Sequence, residues 1–116
     1  MHALIIDDEP LLLEIWLGLF DLLNWPVTTV EGGHAAVELL RKNTYDIVIT
    51  DLKMRDGDGF LVLDYLQSMA QPPISIVCSG YIDDEKTILD AYKIERIIRK
   101  PFSLDAELEY FQTLVR

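Results

Sequence analysis

Cysteine is almost missing from this chain: Cys78 is the only one in 116 residues. An internal disulfide is therefore excluded. The setting of Cys78 in the apolar run Ile74 to Ser79 suits a buried thiol in a reducing compartment, and the cytoplasm fits best. Positive charge is scarce as well. Ten Lys and Arg stand against twenty Asp and Glu, a net charge of -10, and the basic residues do not cluster. Such a surface repels nucleic-acid phosphates and anionic membranes, so neither is expected as a direct partner. Long hydrophobic runs are also lacking. Charges or turn residues interrupt every apolar stretch well before the ~20 residues of a membrane span, and the start Met-His-Ala-Leu-Ile-Ile-Asp-Asp has no basic region leading into a long apolar one. Neither secretion nor a membrane span is expected. There are no internal repeats, low-complexity tracts or interdomain linkers, and a chain of 116 residues, 50% of them apolar, suits one domain over residues 1–116.

What the chain does have is a regular alternation. Short apolar runs rich in β-branched residues predict strands at Ala3–Ile6, Val27–Val30, Ile47–Thr50, Ile74–Cys78 and Arg96–Ile98. Segments of helical periodicity lie between and after them, roughly at Pro10–Leu23, His34–Lys42, Phe60–Ala70, Asp83–Tyr92 and Ser103–Val115, with Asp83 and Ser103 placed as N-caps. Breaks fall at Trp25-Pro26, Gly32-Gly33, Gly57 to Gly59, Pro72-Pro73 and Lys100-Pro101. This is the pattern of an α/β fold, five βα units winding a doubly wound parallel sheet. Right-handed connections put helices 1 and 5 on one face and helices 2, 3 and 4 on the other, and analogy with known doubly wound folds gives the strand order 2-1-3-4-5. Helix 1 is unusually apolar. Leu12, Trp16, Leu19 and Leu23 form one stripe, while Leu13, Leu17 and Phe20 widen it past a core-facing arc, so some of these are expected at the surface. Either the wide stripe is covered by helix 5, or it serves as a docking face for the helices of another protein or a dimer partner.

Ligands of open α/β sheets bind beyond the carboxyl ends of the strands. Asp7 and Asp8 follow strand 1, Asp51 follows strand 3, Ser79 follows strand 4 and Lys100 follows strand 5. Singly these are ordinary: Asp8 ahead of Glu9-Pro10 reads as a helix cap, Ser79-Gly80 as a turn, Lys100-Pro101 as a solvated loop. Together they bring three carboxylates and one ammonium to one edge, a sum of about -2 that calls for a bound cation. Oxygen donors without thiolate or imidazole suit Mg²⁺ or Mn²⁺ rather than zinc. A carboxylate beside such a metal can attack phosphorus and form an acyl phosphate, and Asp51, on the central strand, is the best placed. The metal, Lys100 and the Ser79 hydroxyl would answer the charge on the transferred group. Lys53 and Tyr81, two residues beyond Asp51 and Ser79, should flank the pocket mouth.

Four segments, in order and spacing, resemble the receiver domains of two-component response regulators: Ile-Ile-Asp7-Asp8-Glu9-Pro10, Ile-Val-Ile-Thr-Asp51-Leu-Lys-Met54-Arg-Asp-Gly-Asp58-Gly59, Cys78-Ser79-Gly80 and Lys100-Pro101-Phe102. The resemblance covers nearly the whole chain. It implies a phosphoacceptor switch: Asp51 takes the phosphoryl group, and Asp7, Asp8, Asp51 and the Lys53 backbone carbonyl hold Mg²⁺, Asp8 directly and Asp7 mainly through water. Ser79 and Lys100 bind phosphoryl oxygens, Gly59 opens helix 3, and the Lys100–Pro101 bond is cis. It further implies a sensor histidine kinase or histidine phosphotransfer protein as donor, an output domain or target protein read through helix 4, strand 5 and helix 5, and scope for a homodimer. Such a domain is a signalling switch, catalysing only its own phosphorylation and dephosphorylation.

Three departures stand out. Arg55 follows Met54 where the family usually has proline, so the loop is less constrained and carries an added charge. Ile97 holds the switch position, usually Tyr or Phe, and Ala91–Glu95 lacks the Gly-Ala that commonly precedes strand 5. Other classes fit less well. A phosphatase forming an aspartyl phosphate would need Asp-x-Asp after strand 1, and a flavodoxin-like carrier would need a Ser/Thr/Gly-rich phosphate loop there. The serious rival is a receiver-like binding module that works without phosphate.

Overall fold

A computed structural model describes residues 1–114 of the chain. Ten elements alternate: β1 (Ala3–Ile6), α1 (Pro10–Leu22), β2 (Val27–Val30), α2 (Gly33–Lys42), β3 (Ile47–Thr50), α3 (Gly59–Ser68), β4 (Ile74–Ser79), α4 (Ile82–Leu89), β5 (Arg96–Arg99) and α5 (Leu104–Thr113). The strands form one parallel sheet in the order β2-β1-β3-β4-β5, as expected. The predicted end of helix 5 at Val115 lies outside the described residues. Among them, no helix is long and apolar enough to cross a membrane.

Alternation along each strand divides the core in two. Ala3, Ile5, Ile47, Ile49, Ile76, Cys78 and Ile98 pack with Trp16, Leu19, Phe20 and Phe111 beneath α1 and α5. On the opposite face Leu4, Ile6 and Val48 meet Ala36 and Leu40 of α2 and Val62 and Leu66 of α3, and Val77 meets Ile82 and Leu89 of α4. The inner strands β1 and β3 are buried on both faces, so nearly all their residues are apolar. Burial also pushes the Cys78 thiol up to about 12, leaving it an inert packing group. Arg96 of β5 clasps the buried carboxylate of Glu107 on α5 through two hydrogen bonds of 2.8 and 3.1 Å, which fixes that helix against the sheet edge.

Two helix starts differ in kind. Ser103 caps α5 as expected, its hydroxyl accepting from the Ala106 amide at 3.3 Å. Asp83 is not a cap. The fourth helix begins one residue earlier, at Ile82 after Tyr81, with no side-chain cap. Asp83 lies in its first turn, where its carboxylate pairs with Arg99 of β5, a position the helix dipole favours. The same helix stops at Leu89 rather than Tyr92, whose hydroxyl donates to Asp64 of α3 at 2.6 Å. The wide apolar stripe of helix 1 divides, as expected, into covered and exposed parts, and Phe20 is among the covered. It is fully buried, stacked 5.4 Å from Trp25 and edge-on 5.0 Å from Phe111, because α5 widens the covered arc. Leu13 is half-buried, Leu17 is exposed, and Leu11, Ile15 and Leu22 are exposed beside it.

This division makes a direct prediction. Phe20→Ala should lower the unfolding free energy by about 3–5 kcal/mol through the cavity it leaves, whereas Leu17→Ala should cost under about 1 kcal/mol. Urea denaturation of the two variants checks it, and equal losses would contradict the packing described.

Candidate functional site

The strand register delivers the polar residues to one edge. Ile6 pairs with Thr50 and Thr50 with Val77, so the next residues, Asp7 and Asp51, emerge side by side, and the Asp51 amide still donates to the Ile6 carbonyl at 3.0 Å. Ser79 ends β4 beside Arg99, and the Lys100 amide donates to the Ser79 carbonyl at 3.1 Å. Gly59 lets α3 begin close against this edge: a Cβ there would stand 2.1 Å from the Asp51 carbonyl oxygen. The loop between is pinned to α2, where Gly33 and His34 amides donate to the carbonyls of Gly57 and Asp56 at 2.9 and 3.1 Å. Gly57 turns it with φ of 90°, a left-handed conformation suited to glycine.

Lys100 is the hub. The Lys100–Pro101 bond is cis, as expected. Its Nζ donates to Asp51 Oδ2 at 2.8 Å, Asp7 Oδ2 at 2.9 Å and Glu9 Oε1 at 3.3 Å, which accounts for all three ammonium protons. Asp51 Oδ1 accepts from the Leu52 amide at 2.6 Å and Asp7 Oδ1 from the Glu9 amide at 3.0 Å. Asp7, Asp51 and Ser79 are all buried. Burial pushes the Asp7 carboxyl above its usual value of 3.8, although Lys100 and the Glu9 amide pull the other way. Burial also works against the Lys100 ammonium, but its hydrogen bonds to Asp51 and Asp7 outweigh this and its pKa is raised.

The expected residues are not all equally gathered. Carboxylate oxygens of Asp7, Glu9 and Asp51 lie within 4.8 Å of one another. Asp8 stands outside that group: its Oδ2 accepts from the Arg55 amide at 3.3 Å and lies 3.6 Å from Arg55 Nε. Ser79 Oγ accepts from the Tyr81 amide at 3.1 Å. The Lys53 ammonium lies over the Tyr81 ring, 4.2 Å from its centroid, so the two residues expected to flank the mouth meet each other. Ile97 is exposed on β5. Glu9 is the residue that sequence reasoning passed over. Its backbone is the N-cap of α1, but its side chain makes no cap bond and goes to Lys100 instead. Nothing in the sequence separated it from an ordinary acid at a helix start, which the helix dipole favours in any case.

A family model described as the response regulator receiver domain matches residues 3–111. The chain belongs to that family. Over 120 residues it is 32% identical to the two-component response regulator ARR10 of Arabidopsis thaliana, using 100% of this chain and 21% of that protein. Over 119 residues it is 33% identical to the response regulator protein PilR of Pseudomonas aeruginosa, using 98% of this chain and 26% of that one. The receiver domain thus spans about a quarter or less of either relative. Many solved structures share its fold, and two of them illustrate the likeness. One is TrrA of Thermotoga maritima in complex with Mg²⁺ and BeF, with TM-score 0.84, 23% identity and 97% of both chains covered. The other is the non-phosphorylated HemR receiver domain of Leptospira biflexa, with TM-score 0.86, 21% identity and 98% and 93% covered. The receiver family is one of signalling switches rather than conventional enzymes. Its acidic edge here, all oxygen donors with no thiolate or imidazole among them, is consistent with binding Mg²⁺.

The raised Asp7 pKa carries a pH signature. A carboxyl raised on folding contributes stability that is present below its unfolded value of 3.8 and lost as pH rises through the folded one. The raised Lys100 contributes stability up to its own ordinary range, so it is intact at neutral pH. Asp7→Asn should therefore raise the melting temperature of the metal-free receiver at pH 7, by an amount that shrinks toward acid pH. Melts at several pH values check this; a variant less stable at pH 7 would contradict it.

Proposed function

We propose that this receiver is a phosphoacceptor switch in which Asp51 takes a phosphoryl group from a phosphohistidine of a sensor kinase or histidine phosphotransfer protein. The observation that carries this reading is the Asp51 carboxylate, buried at the strand edge between Lys100 and two further acids. An Asp51 oxygen attacks phosphorus, the new O–P bond replaces the P–N bond, and the imidazole leaves with a proton. The Leu52 amide orients the carboxylate throughout. Lys100 exchanges a carboxylate partner for a phosphoryl oxygen, and the Ser79 hydroxyl donates to another.

Asp7, Asp8, Asp51 and the Lys53 carbonyl are the groups proposed to hold Mg²⁺ or Mn²⁺, with Glu9 an added carboxylate at the rim. When bound, the ion supplies positive charge against the phosphoryl oxygens. The exposed α1 residues Leu11, Ile15 and Leu22 are proposed to meet the donor's helices, since α1 starts three residues after Asp7. Residues 1–116 would be one receiver unit acting in the cytoplasm on an output domain, a target protein or a second copy, without contacting nucleic acid or membrane itself. The second reading, a module that works without phosphate, is favoured only by Ile97 at the switch position.

With acetyl phosphate and Mg²⁺, the wild type should gain one phosphoryl mass and Asp51→Asn none. Intact-mass measurement decides, and uptake by the variant, or none by the wild type, would sink the assignment. The Lys53–Tyr81 pair is proposed to bear on lifetime: two residues beyond Asp51 and Ser79, and in contact with each other, they would obstruct the path by which water reaches the acyl phosphate. The double variant Lys53→Ala/Tyr81→Ala should lose phosphate faster than wild type, and an unchanged or slower decay would reject that role.

A further inference from the structure

Asp8 is claimed by its own chain. The amide and the guanidinium of Arg55 both address one oxygen, Asp8 Oδ2, at 3.3 and 3.6 Å. Proline, the residue the family usually has here, could provide neither an amide proton nor a charge. The other three acids of the edge, Asp7, Glu9 and Asp51, gather around Lys100, while Asp8 is apart from them. The side chains differ sharply in freedom: that of Asp8 is 19% exposed and that of Arg55 is 85% exposed. Residues 56 and 57 of the same loop are pinned to α2 through their carbonyls. The backbone of residue 55 is therefore held in place, and only the guanidinium is free to leave.

We propose that Arg55 is a tethered counter-cation that competes with a divalent metal ion for Asp8, setting a weaker metal affinity than the acidic edge alone would give. This deepens the phosphoacceptor reading and rests on its metal site. An exposed ion pair is worth less than about one factor of RT ln 10, so the competition is modest: removing the charge should tighten metal binding about two- to five-fold. Because the fixed amide remains in any non-proline variant, the effect belongs to the side chain alone.

The test is a titration of the unphosphorylated protein with MgCl₂ at fixed ionic strength, followed by amide chemical shifts, for wild type, Arg55→Gln, Arg55→Lys, Asp8→Asn and Asp8→Asn/Arg55→Gln. The expected result is a lower Kd for Arg55→Gln, a Kd near wild type for Arg55→Lys, and no further change when Arg55→Gln is added to Asp8→Asn. Equal tightening with and without Asp8 would mean a diffuse charge effect and would overturn the proposal, as would an unchanged or higher Kd in Arg55→Gln. Absence of saturable shifts in every protein would overturn the metal site itself, and the proposal with it. The two failures differ visibly, because only the second leaves no binding to compare.

Discussion

Asp7 and Asp51 leave adjacent paired strands at the same level, so the sheet itself forces two buried carboxylates together. Lys100, arriving from the far side of β4, is the group that makes this tolerable: its ammonium bonds both and reaches Glu9 as well. The contact joins residues 93 and 49 positions apart in sequence, and it ties together the ends of β1, β3 and β5. Burying unpaired charge costs several kcal/mol per ion, an order larger than most surface interactions, so the rest of the edge is arranged around this one cation. Gly59 clears room beside Asp51, and the Leu52 and Glu9 amides take the carboxylate oxygens that Lys100 does not. The consequence for function is that Lys100 has no donor to spare. Any acceptor oxygens newly placed on Asp51 must take a proton now given to a carboxylate, so charge added there redistributes the whole hub.

The fold was legible because its signals are local and repeated. Short β-branched runs bounded by Gly, Pro or Asp give strands of the right kind at all five positions, and the switch from solid apolar runs in β1 and β3 to mixed ones in β2 and β5 follows from central or edge position. Strand ends placed Asp7, Asp51, Ser79 and Lys100 on one edge from sequence alone. What sequence could not give was competition between partners. Asp83 has the composition of a cap, but Arg99 lies on a strand brought alongside only by the tertiary fold, and that cation claims the carboxylate. Which of Leu13, Leu17 and Phe20 would be covered is undecidable in the sequence for a similar reason: the width of a buried arc depends on how closely the neighbouring helix packs, and Phe111 is 91 residues away in the chain. Glu9 and Asp8 exchange the places their neighbours suggest, because Lys100 and Arg55 attract different members of one contiguous acidic run.

The elements of this receiver are unevenly anchored. The fifth helix is held by the buried Phe111 and by the Arg96–Glu107 pair, with Arg96 also lying 4.2 Å over the Tyr110 ring. By contrast α4 has only 8 residues and buries Ile82 and Leu89, one at each end. Between them its middle residues are exposed or half-exposed. Its link to β5 is an exposed ion pair between Asp83 and Arg99, which contributes little against solvent and salt.

The start of α4 is also the part nearest the acidic edge. The residue preceding it, Tyr81, donates its amide to Ser79 Oγ, and Tyr81 carries the ring on which Lys53 rests. A hydroxyl has one proton to give and two lone pairs, so Ser79 can hold the Tyr81 amide and still donate toward an acceptor on Asp51. Doing both requires a compromise in position, and the weaker partner is the loop. In the proposed phosphorylated state, added acceptor oxygens would draw Ser79 inward and with it the Tyr81 amide, shifting the first turn of a helix that little else restrains. Ile97 cannot report the change by a large side-chain rotation, being β-branched, exposed and without a polar group to exchange partners. On the proposed reading the displaceable element would therefore be α4, and any affinity change it produced would be limited to the free-energy difference between its two positions.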